Sequence, residues 1–382
     1  MDFSLTPQQS QLKESVAQFA EAELNADLQR REKDQIFNRA GWQRCAEMGI
    51  QGLPVPARYG GKEADPVATL AALEGLGYGC KDNGLCFSIN AHLWGCASPI
   101  VAFGTEQQKE RLLPGLCAGT RIGALAISER EAGSDAYSLR TTAERRGDQY
   151  LLNGHKIFVT NGPIADLVLV FATMDAAKGA RAITGFLVEK GATGLKAGPT
   201  VEKMGLRTAQ MGELELQNCL VPAGNRLGQE GAGLALFNHA MEWERGFILA
   251  SAVGAMQRQL EQCRRHVKDR RQFGQPIGAF QMVSSKLVDM QMRVETARLL
   301  LYKVGWLKSI ERRALMEAAM AKLYISEAWV QSCQEAIQLH GGHGYLAGSD
   351  AERDLRDAMA SRLYSGTSEI QRQIIAQWMG IA

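Results

Sequence analysis

The first third of the chain carries hydrophobic residues at the three- and four-residue spacing of amphipathic helices. The pattern predicts one helix over residues 6 to about 35, where Thr6 caps the first turn and a proline occupies its first position. Further helical stretches follow, and the run Leu85 to Val101 is apolar on most sides, which is typical of a central buried helix. We interpret His92, within that run, as a core or interface histidine and not as a ligand. These stretches predict an all-helical N-terminal domain over residues 1–120.

The period of the hydrophobic pattern changes at Arg121. Short runs rich in β-branched residues follow, with alternating or fully buried character, and Gly, Asn and Asp separate them. The pattern predicts a small antiparallel β domain over residues 121–230. The predicted strands lie within residues 121–128, 147–162, 165–174, 183–190 and 212–222.

The helical period returns near Gln229 and continues to the end of the chain. Long segments with short connections predict an antiparallel helical bundle over residues 231–382, so the whole chain belongs to the α+β class. The predicted bundle helices are 233–269, 279–309, 311–340 and 351–379.

Composition narrows the classes of partner. The 43 basic and 41 acidic residues give a net charge of +2 and are dispersed along the chain, which argues against nucleic acid binding. The eight cysteines form no C-x-x-C pair and no metal-type spacing, so we expect free thiols in a reducing compartment and no metal site. No secretory signal and no 18-residue apolar stretch is recognisable, so we expect a cytoplasmic protein without membrane insertion.

One acidic residue stands on the apolar face of a predicted helix over residues 237–254. Glu244 has apolar neighbours at helical spacing, whereas Glu242 has polar ones and is expected on a wet or capping face. A desolvated carboxylate has a raised pKa suited to taking up a proton, which makes Glu244 a candidate catalytic base. A structural ion pair with Arg245 or with a distant cation is the alternative. The apolar neighbours of Glu244 are Ala240, Met241, Phe247 and Ile248.

The middle domain contains two further candidate features. Residues 125–135 end a predicted strand and turn through Gly133 and Ser134, where backbone amides can approach a planar or anionic ligand. Residues 155–162 place an aromatic and a hydroxyl on adjacent strand positions. No G-x-G-x-x-G follows a strand, so a dinucleotide site of the Rossmann type is not indicated.

The combination of motifs along the chain resembles the acyl-CoA dehydrogenase family of flavoproteins over essentially its full length. Agreement of several spaced motifs in the same order is far more specific than any one of them. The matching pieces are S-E-x-x-A-G-S-D at 128–135, G-x-K-x-x-x-T-N-G at 154–162, R-x-Q-F-G-x-P-I at 270–277, Gln281, Q-x-H-G-G-x-G-Y at 338–345 and Y-S-G-T-S-E-I-Q-R at 364–372.

The resemblance implies an FAD held in a dry cleft between sheet and bundle, with a neighbouring subunit of a homotetramer completing the site. One group of residues is implied to line the isoalloxazine and pyrophosphate, with an aromatic wall and a hydroxyl near flavin N5. A second group is implied to reach the pyrophosphate, ribose and adenine half, in part on the partner's FAD. The first group is Leu125, Ile127, Ser128, Gly133, Ser134, Phe158, Val159 and Thr160; the second is Arg270, Gln272, Phe273, Gln281, Gln338, Gly341, Gly342, Thr367 and Glu369.

The resemblance also implies the reaction: a base removes the α proton of an acyl thioester while hydride leaves the β carbon for flavin N5. In many relatives the base is the Glu of a Y-E-G-T motif, but this chain has Ser365 there, which cannot act as a base. In the isovaleryl and long-chain branches the base lies in an E-R dipeptide, which Glu244-Arg245 match. The amide of Ser365 is expected to donate to the thioester oxygen and Arg245 to brace the helix or the substrate. The implied substrate-binding residues are Ser134, Arg245, Tyr364, Ser365 and Gly366.

The motifs are compatible with two classes of acyl group. The patterns at 77–92, 161–166 and 241–245, with Y-S-G-T, resemble the branch that oxidises aminoacyl groups tethered to a carrier protein, such as prolyl groups. A short branched or aliphatic acyl-CoA is the direct alternative, and an electron-transfer flavoprotein or oxygen would take the electrons. Two further alternatives are a flavin-dependent oxidase or monooxygenase and a non-catalytic flavin-binding homologue.

Overall fold

The computed structural model describes residues 3–381 and has the predicted order of helices, sheet and helices. The predicted start of the first helix is confirmed: the Thr6 hydroxyl accepts from the amide of Gln9, whose side chain accepts in return from the Thr6 amide. The N-terminal helices are α1 (Pro7–Glu23), α2 (Leu28–Asp34), α3 (Arg39–Glu47), α4 (Pro66–Gly79), α5 (Asn83–His92), α6 (Ser98–Phe103) and α7 (Glu106–Cys117).

The prediction of one helix over residues 6 to 35 is wrong. Helix α1 ends at Glu23, and Asp27 before α2 has a left-handed φ of 53°. The Asn25 side chain lies in the break, donating to the Gly79 carbonyl at 2.9 Å and accepting from the Lys81 amide at 2.7 Å. The break therefore joins the end of α1 to the end of α4, a contact that local periodicity does not report.

The run Asn83–Phe103 is continuous helix, with a π-helical segment at Leu93–Ala97 between α5 and α6. By length and composition it is apolar enough to cross a membrane, so the expectation that no such stretch exists is wrong. In the structure 72% of its most apolar window is buried, which confirms the predicted central core helix. His92 is fully buried as expected: its Nδ1 accepts from the Gly123 amide at 2.9 Å, and burial lowers its pKa to about 4.

The middle domain is one sheet with the strand order β6-β7-β3-β2-β4-β5-β8, in which β1 pairs with β4. Neighbouring strands run antiparallel except that β1 is parallel to β4 and β2 makes one parallel pairing with β4. The expected antiparallel sheet is therefore mixed. The segment between β1 and β4, which includes β2 and β3, brings the chain back so that β4 runs in the same direction as β1. The strands are β1 (Gly123–Ala126), β2 (Thr142–Arg146), β3 (Gln149–Thr160), β4 (Leu167–Thr173), β5 (Ile183–Glu189), β6 (Leu195–Ala197), β7 (Met211–Pro222) and β8 (Arg226–Leu227).

The C-terminal domain is a helical bundle, but two of the predicted long helices are each divided. The segment 233–269 breaks at Leu249, whose ψ of 9° leaves helical geometry. The segment 351–379 breaks at a turn where Ser365 and Gly366 have φ of 57° and 90°. The elements are α8 (Gly233–Phe247), α9 (Ala250–Asp269), the hairpin β9 (Arg271–Gln272) and β10 (Gln275–Pro276), α10 (Gln281–Ser309), α11 (Leu315–His340), α12 (Gly342–Tyr345), α13 (Asp350–Ala360) and α14 (Ser368–Trp378).

A close helix crossing joins the N-terminal domain to the bundle. A Cβ on Gly77 of α4 would lie 1.8 Å from the carbonyl oxygen of Ser251 on α9, and a Cβ on Gly254 would lie 2.0 Å from the carbonyl oxygen of Glu74. The two backbones therefore touch at both glycines, and any side chain would separate them. This contact holds the start of α9, and hence the end of α8, against the N-terminal helices.

Candidate active site

Glu244 lies on the buried face of α8, as its helical spacing predicts, with 9% of its surface exposed. The hydroxyl of Ser365 donates to its Oε1 at 2.5 Å. Burial raises the pKa of Glu244, and the Ser365 hydrogen bond and the charges of Arg245 and Lys322 oppose that rise. The result is a desolvated carboxyl with a raised pKa, which suits a group that must take up a proton.

Glu242 is also buried, so its expected place on a wet face is wrong. Its carboxylate accepts from Lys308 Nζ at 2.6 Å and from the amide of Ala314, at the start of α11, at 2.7 Å. The end of α10 and the start of α11 cover this side of α8, which the sequence of α8 alone does not reveal. Glu242 thus forms an ion pair and caps a helix, and of the two expected environments, wet or capping, it has the capping one.

The turn at Ser365 and Gly366 is fixed by side chains from three helices. Arg245 Nε donates to the Ser365 carbonyl at 3.1 Å, and Lys322 Nζ donates to the Gly366 carbonyl at 2.7 Å. The Gln371 amide donates to both carbonyls, at 3.1 Å and 2.8 Å. These bonds hold two successive residues at positive φ, one of them not glycine, which is a conformation that needs such support.

Lys322 is a buried cation that the sequence reasoning missed. Its side chain is fully covered, and burial together with the positive charge of Arg245 lowers its pKa to about 7. Its Nζ lies 5.9 Å from the centre of the Tyr364 ring. The only signal in the sequence is a lysine among apolar residues of a helix, which by itself does not say what the lysine contacts.

Two groups of aromatic side chains pack near the end of α8. Trp94 and Trp243 stack with ring centres 6.0 Å apart, and Phe247 lies 4.8 Å from Trp94. In the second group the rings of Phe87 and Tyr364, the residue before Ser365, are 4.4 Å apart. A small cavity of about 10 Å³ lies behind the Phe87 and Tyr364 rings, beside the start of α9. Its lining residues include Cys86, Phe87, Ile248, Ser251 and Tyr364.

The end of β3 forms an open surface with an exposed aromatic side chain; we call the surface of Phe158 and Thr160 the aromatic shelf. The pairing of β3 with β7 shifts register between Lys156 and Val159, and Phe158 in this bulge has φ of 53° and 67% of its surface exposed. A bulge re-aims a side chain out of the strand pattern. Thr160 is half-buried. The Val159 side chain is buried in the sheet core, contrary to its implied place in the aromatic wall.

The neighbouring loop 128–135 is anchored by an ion pair that the sequence reasoning did not single out. Lys156 is fully buried and contacts Glu129 Oε1 at 2.7 Å and the Ile127 carbonyl at 3.1 Å. Glu129 also accepts from the amides of Arg140 and Thr141. Burial by itself raises the pKa of Glu129, but Lys156 and these donors bring it below its usual range. The pair fixes the two motifs of the middle domain against each other.

The surroundings of this shelf fit a large planar cofactor with a phosphate tail. Leu125, Ile127 and Ser128 are half-buried, and Gly133 and Ser134 are exposed. A Cβ on Gly133 would meet nothing within 4 Å, so the loop leaves room for close approach of a ligand to its backbone. An exposed aromatic, hydroxyls and an open glycine turn are the groups that a flavin and its pyrophosphate need.

The second implied group lies elsewhere on the chain. Helix α9 has 20 residues and is therefore about 30 Å long, which places Arg270 and the β9–β10 hairpin far from Glu244. Phe273 at the hairpin tip is 93% exposed. Gln272, Gln281, Gln338, Gly341 and Gly342 are also exposed, whereas Thr367 is half-buried and caps α14, and Glu369 follows it on the surface.

Each of the three domains matches a protein-family model. The acyl-CoA dehydrogenase N-terminal domain model matches residues 6–120, the middle domain model residues 124–219 and the C-terminal domain model residues 231–380. The chain belongs to the acyl-CoA dehydrogenase family. The described residues hold no group of three or more His, Cys, Asp or Glu arranged to bind a metal ion.

Several members of the acyl-CoA dehydrogenase family match over their full length. An L-prolyl-[peptidyl-carrier protein] dehydrogenase from Pseudomonas fluorescens is 39% identical over 99% of both chains. The crystal structure of the prolyl acyl carrier protein oxidase AnaB has 56% identity and a TM-score of 0.98, covering 99% of this chain and 100% of AnaB. The structure of PigA with FAD and proline has 39% identity and a TM-score of 0.96, covering 100% of both chains.

Proposed function

We propose that Glu244 is the base in an FAD-dependent dehydrogenation of an acyl thioester. The reaction class is that of the acyl-CoA dehydrogenase family, to which the chain belongs. The observation that supports Glu244 is its position: buried on α8, bonded to the turn that carries a serine at the alternative base position. A non-catalytic homologue would have no need to keep a desolvated carboxyl there.

The residues around Glu244 have separable roles in the proposed reaction. Bound FAD supplies the acceptor for the hydride that leaves the β carbon. Glu244 takes the α proton on its carboxylate, and the amide of Ser365 donates to the thioester oxygen, where negative charge develops. Arg245 holds the Ser365 carbonyl and so helps to fix the backbone turn that carries that amide. Trp94, Trp243 and Phe247 exclude water, which strengthens each of these interactions.

We propose the aromatic shelf and the neighbouring loop 128–135 as the flavin site. Phe158 and Thr160, with the backbone of Val159, would contact the ring system beside Leu125 and Ile127. The loop through Ser128, Gly133 and Ser134 would bind the pyrophosphate side, with Ser134 also close to the substrate, as are Tyr364 and Gly366. Arg270, Gln272, Phe273, Gln281, Gln338, Gly341, Gly342, Thr367 and Glu369 would bind the other half, in part on a partner's cofactor.

We propose a homotetramer because the bundle presents apolar surface that one chain does not cover. Met292, Leu299 and Trp306 recur every seven residues on α10 and are 61%, 54% and 52% exposed. A helix that is apolar on two faces is usually buried on both. Light scattering of the holoenzyme should give four times the 41.7 kDa chain mass. A two-chain mass would contradict the tetramer, and a one-chain mass would also contradict a shared flavin site.

We propose that the acyl group is a small aminoacyl group, of the prolyl type, carried on a carrier protein. The relatives that support this are described as acting on prolyl carrier proteins. A short acyl-CoA remains the competing substrate, since short-chain acyl-CoA dehydrogenases are also relatives.

Anaerobic bleaching of the bound flavin decides between these substrates. We expect rapid bleaching by prolyl carrier protein, and slow or no bleaching by butyryl-CoA, isovaleryl-CoA and a fatty acyl carrier protein. The same fatty acyl group on CoA and on carrier protein is the matched control for the carrier. Rapid bleaching by a CoA thioester alone would contradict the proposal and indicate a metabolic acyl-CoA dehydrogenase.

The same reduced enzyme identifies the electron acceptor. One relative is described as an oxidase and others as dehydrogenases, so oxygen and an electron-transfer flavoprotein are the two candidates. Admission of air after bleaching, with a peroxide assay, measures the first, and addition of electron-transfer flavoprotein measures the second. We propose the cytoplasm as the compartment, because all eight cysteines, which lie within the described chain, are free and buried.

A further inference from the structure

The position at which many relatives carry the base is occupied here by a serine that touches the proposed base. Ser365 Oγ lies 2.5 Å from Glu244 Oε1, although the two residues are 121 positions apart. We infer that the Ser365 hydroxyl is a positioning residue, which holds the Glu244 carboxylate in one orientation and favours its ionised form. This inference rests on the proposed role of Glu244 as base.

The backbone of Ser365 is rigid enough for its hydroxyl to direct a neighbour. Arg245 and Gln371 both donate to the Ser365 carbonyl, and Gln371 and Lys322 both donate to the next carbonyl, of Gly366. A hydroxyl on a backbone fixed in this way has little freedom other than rotation about its own bonds. The donated hydrogen bond is therefore directional, and it selects one position for Oε1.

Two charged groups and one neutral phenol face Glu244. Arg245 lies beside it on α8, Lys322 faces it from α11, and the phenol of Tyr364 lies next to Ser365 in the turn. Arg245 remains charged throughout the working range, but Lys322 has a pKa of about 7 and loses its charge above neutrality. A serine hydroxyl does not titrate in that range. Its hydrogen bond therefore stabilises the carboxylate at every pH at which the base works.

The test is the pH profile of flavin reduction in Ser365→Gly. Glycine adopts the φ of 57° without strain, so this change removes the hydroxyl and leaves the turn intact. A base must be deprotonated to act, and loss of a hydrogen bond to the charged form raises its pKa. We expect the acid limb of kcat/KM for anaerobic reduction to move up by about one to two pH units, the size of a hydrogen bond to a buried charge.

Ser368→Ala is the matched control. Ser368 donates to Glu327 at 2.6 Å, so this variant also loses a serine–carboxylate hydrogen bond on the same segment, but not one to Glu244. We expect its acid limb to stay in place. An unchanged limb in Ser365→Gly, or an equal loss of rate at every pH, would overturn the inference.

Two further measurements keep the result interpretable. Ser365→Ala also lacks the hydroxyl and must give the same shift if Ser365→Gly folds poorly. Infrared difference spectra follow the carboxyl band that Glu244→Gln removes, and that band should titrate at higher pH in both Ser365 variants without any turnover. If Glu244→Gln keeps full activity, the proposed function itself fails. If Glu244→Gln is inactive and the acid limb of kcat/KM is unchanged in the Ser365 variants, only this inference fails.

Discussion

Glu244→Gln is expected to keep its FAD and lose flavin reduction by substrate by about two to four orders of magnitude, the contribution of a positioned general base. Glutamine fills the same volume, and its carbonyl oxygen can still accept from Ser365, so the helix and the turn should remain in place. The amide cannot take up the α proton. Anaerobic stopped-flow reduction, with flavin content measured on the same sample, separates loss of chemistry from loss of cofactor.

Glu242→Gln is the control for this prediction. Glu242 is equally buried on the same helix, but its partners are Lys308 and the Ala314 amide. Breaking a buried pair by removing one partner costs about 3–5 kcal/mol of stability. We therefore expect a lower unfolding midpoint with near-normal reduction of the folded enzyme. Full activity in Glu244→Gln, or a folded and flavin-loaded Glu242→Gln without activity, would contradict the assignment.

Lys156→Met is expected to lower the free energy of unfolding by about 3–5 kcal/mol and to yield protein depleted in FAD. Burial lowers the pKa of Lys156 to about 8, while Glu129 opposes that effect, so the lysine is a cation held in place by its partner. Removing it leaves the Glu129 carboxylate buried with only neutral donors. The loop 128–135 then loses its anchor to β3. Denaturant unfolding and the flavin-to-protein absorbance ratio measure the two effects.

Two variants show whether the unpaired charge is the cause. Lys156→Met with Glu129→Gln leaves no charge without a partner and should recover a large part of the lost stability. Lys190→Met removes a lysine that is 70% exposed and 3.5 Å from Asp166, and should change stability by less than about 0.5 kcal/mol. Equal losses in Lys156→Met and Lys190→Met would show that the buried pair has no special role.

The sequence was sufficient for the order of helices, sheet and helices and for the inward face of α8. Each of these depends on residues a few positions apart, because helix and strand periods report which side of an element is apolar. The same local signal failed where a break depends on a distant contact. Asn25, in the break after α1, bonds to Gly79 at the end of α4 and to Lys81 beyond it. The last predicted helix is interrupted where Gln371 and Lys322 hold the Ser365–Gly366 turn.

The features of the candidate site fall into the same two groups, those set by local sequence and those set by distant contacts. By itself the sequence determined that Glu244 is apolar-facing, that position 365 cannot supply a base, and that the spaced motifs belong to one family. Only the tertiary structure decided that Glu242 is buried under the start of α11, that Val159 faces the core, and that Ser365 bonds to Glu244. The physical reason is that burial and hydrogen bonding depend on which element covers a face, and that covering element lies far away in the chain.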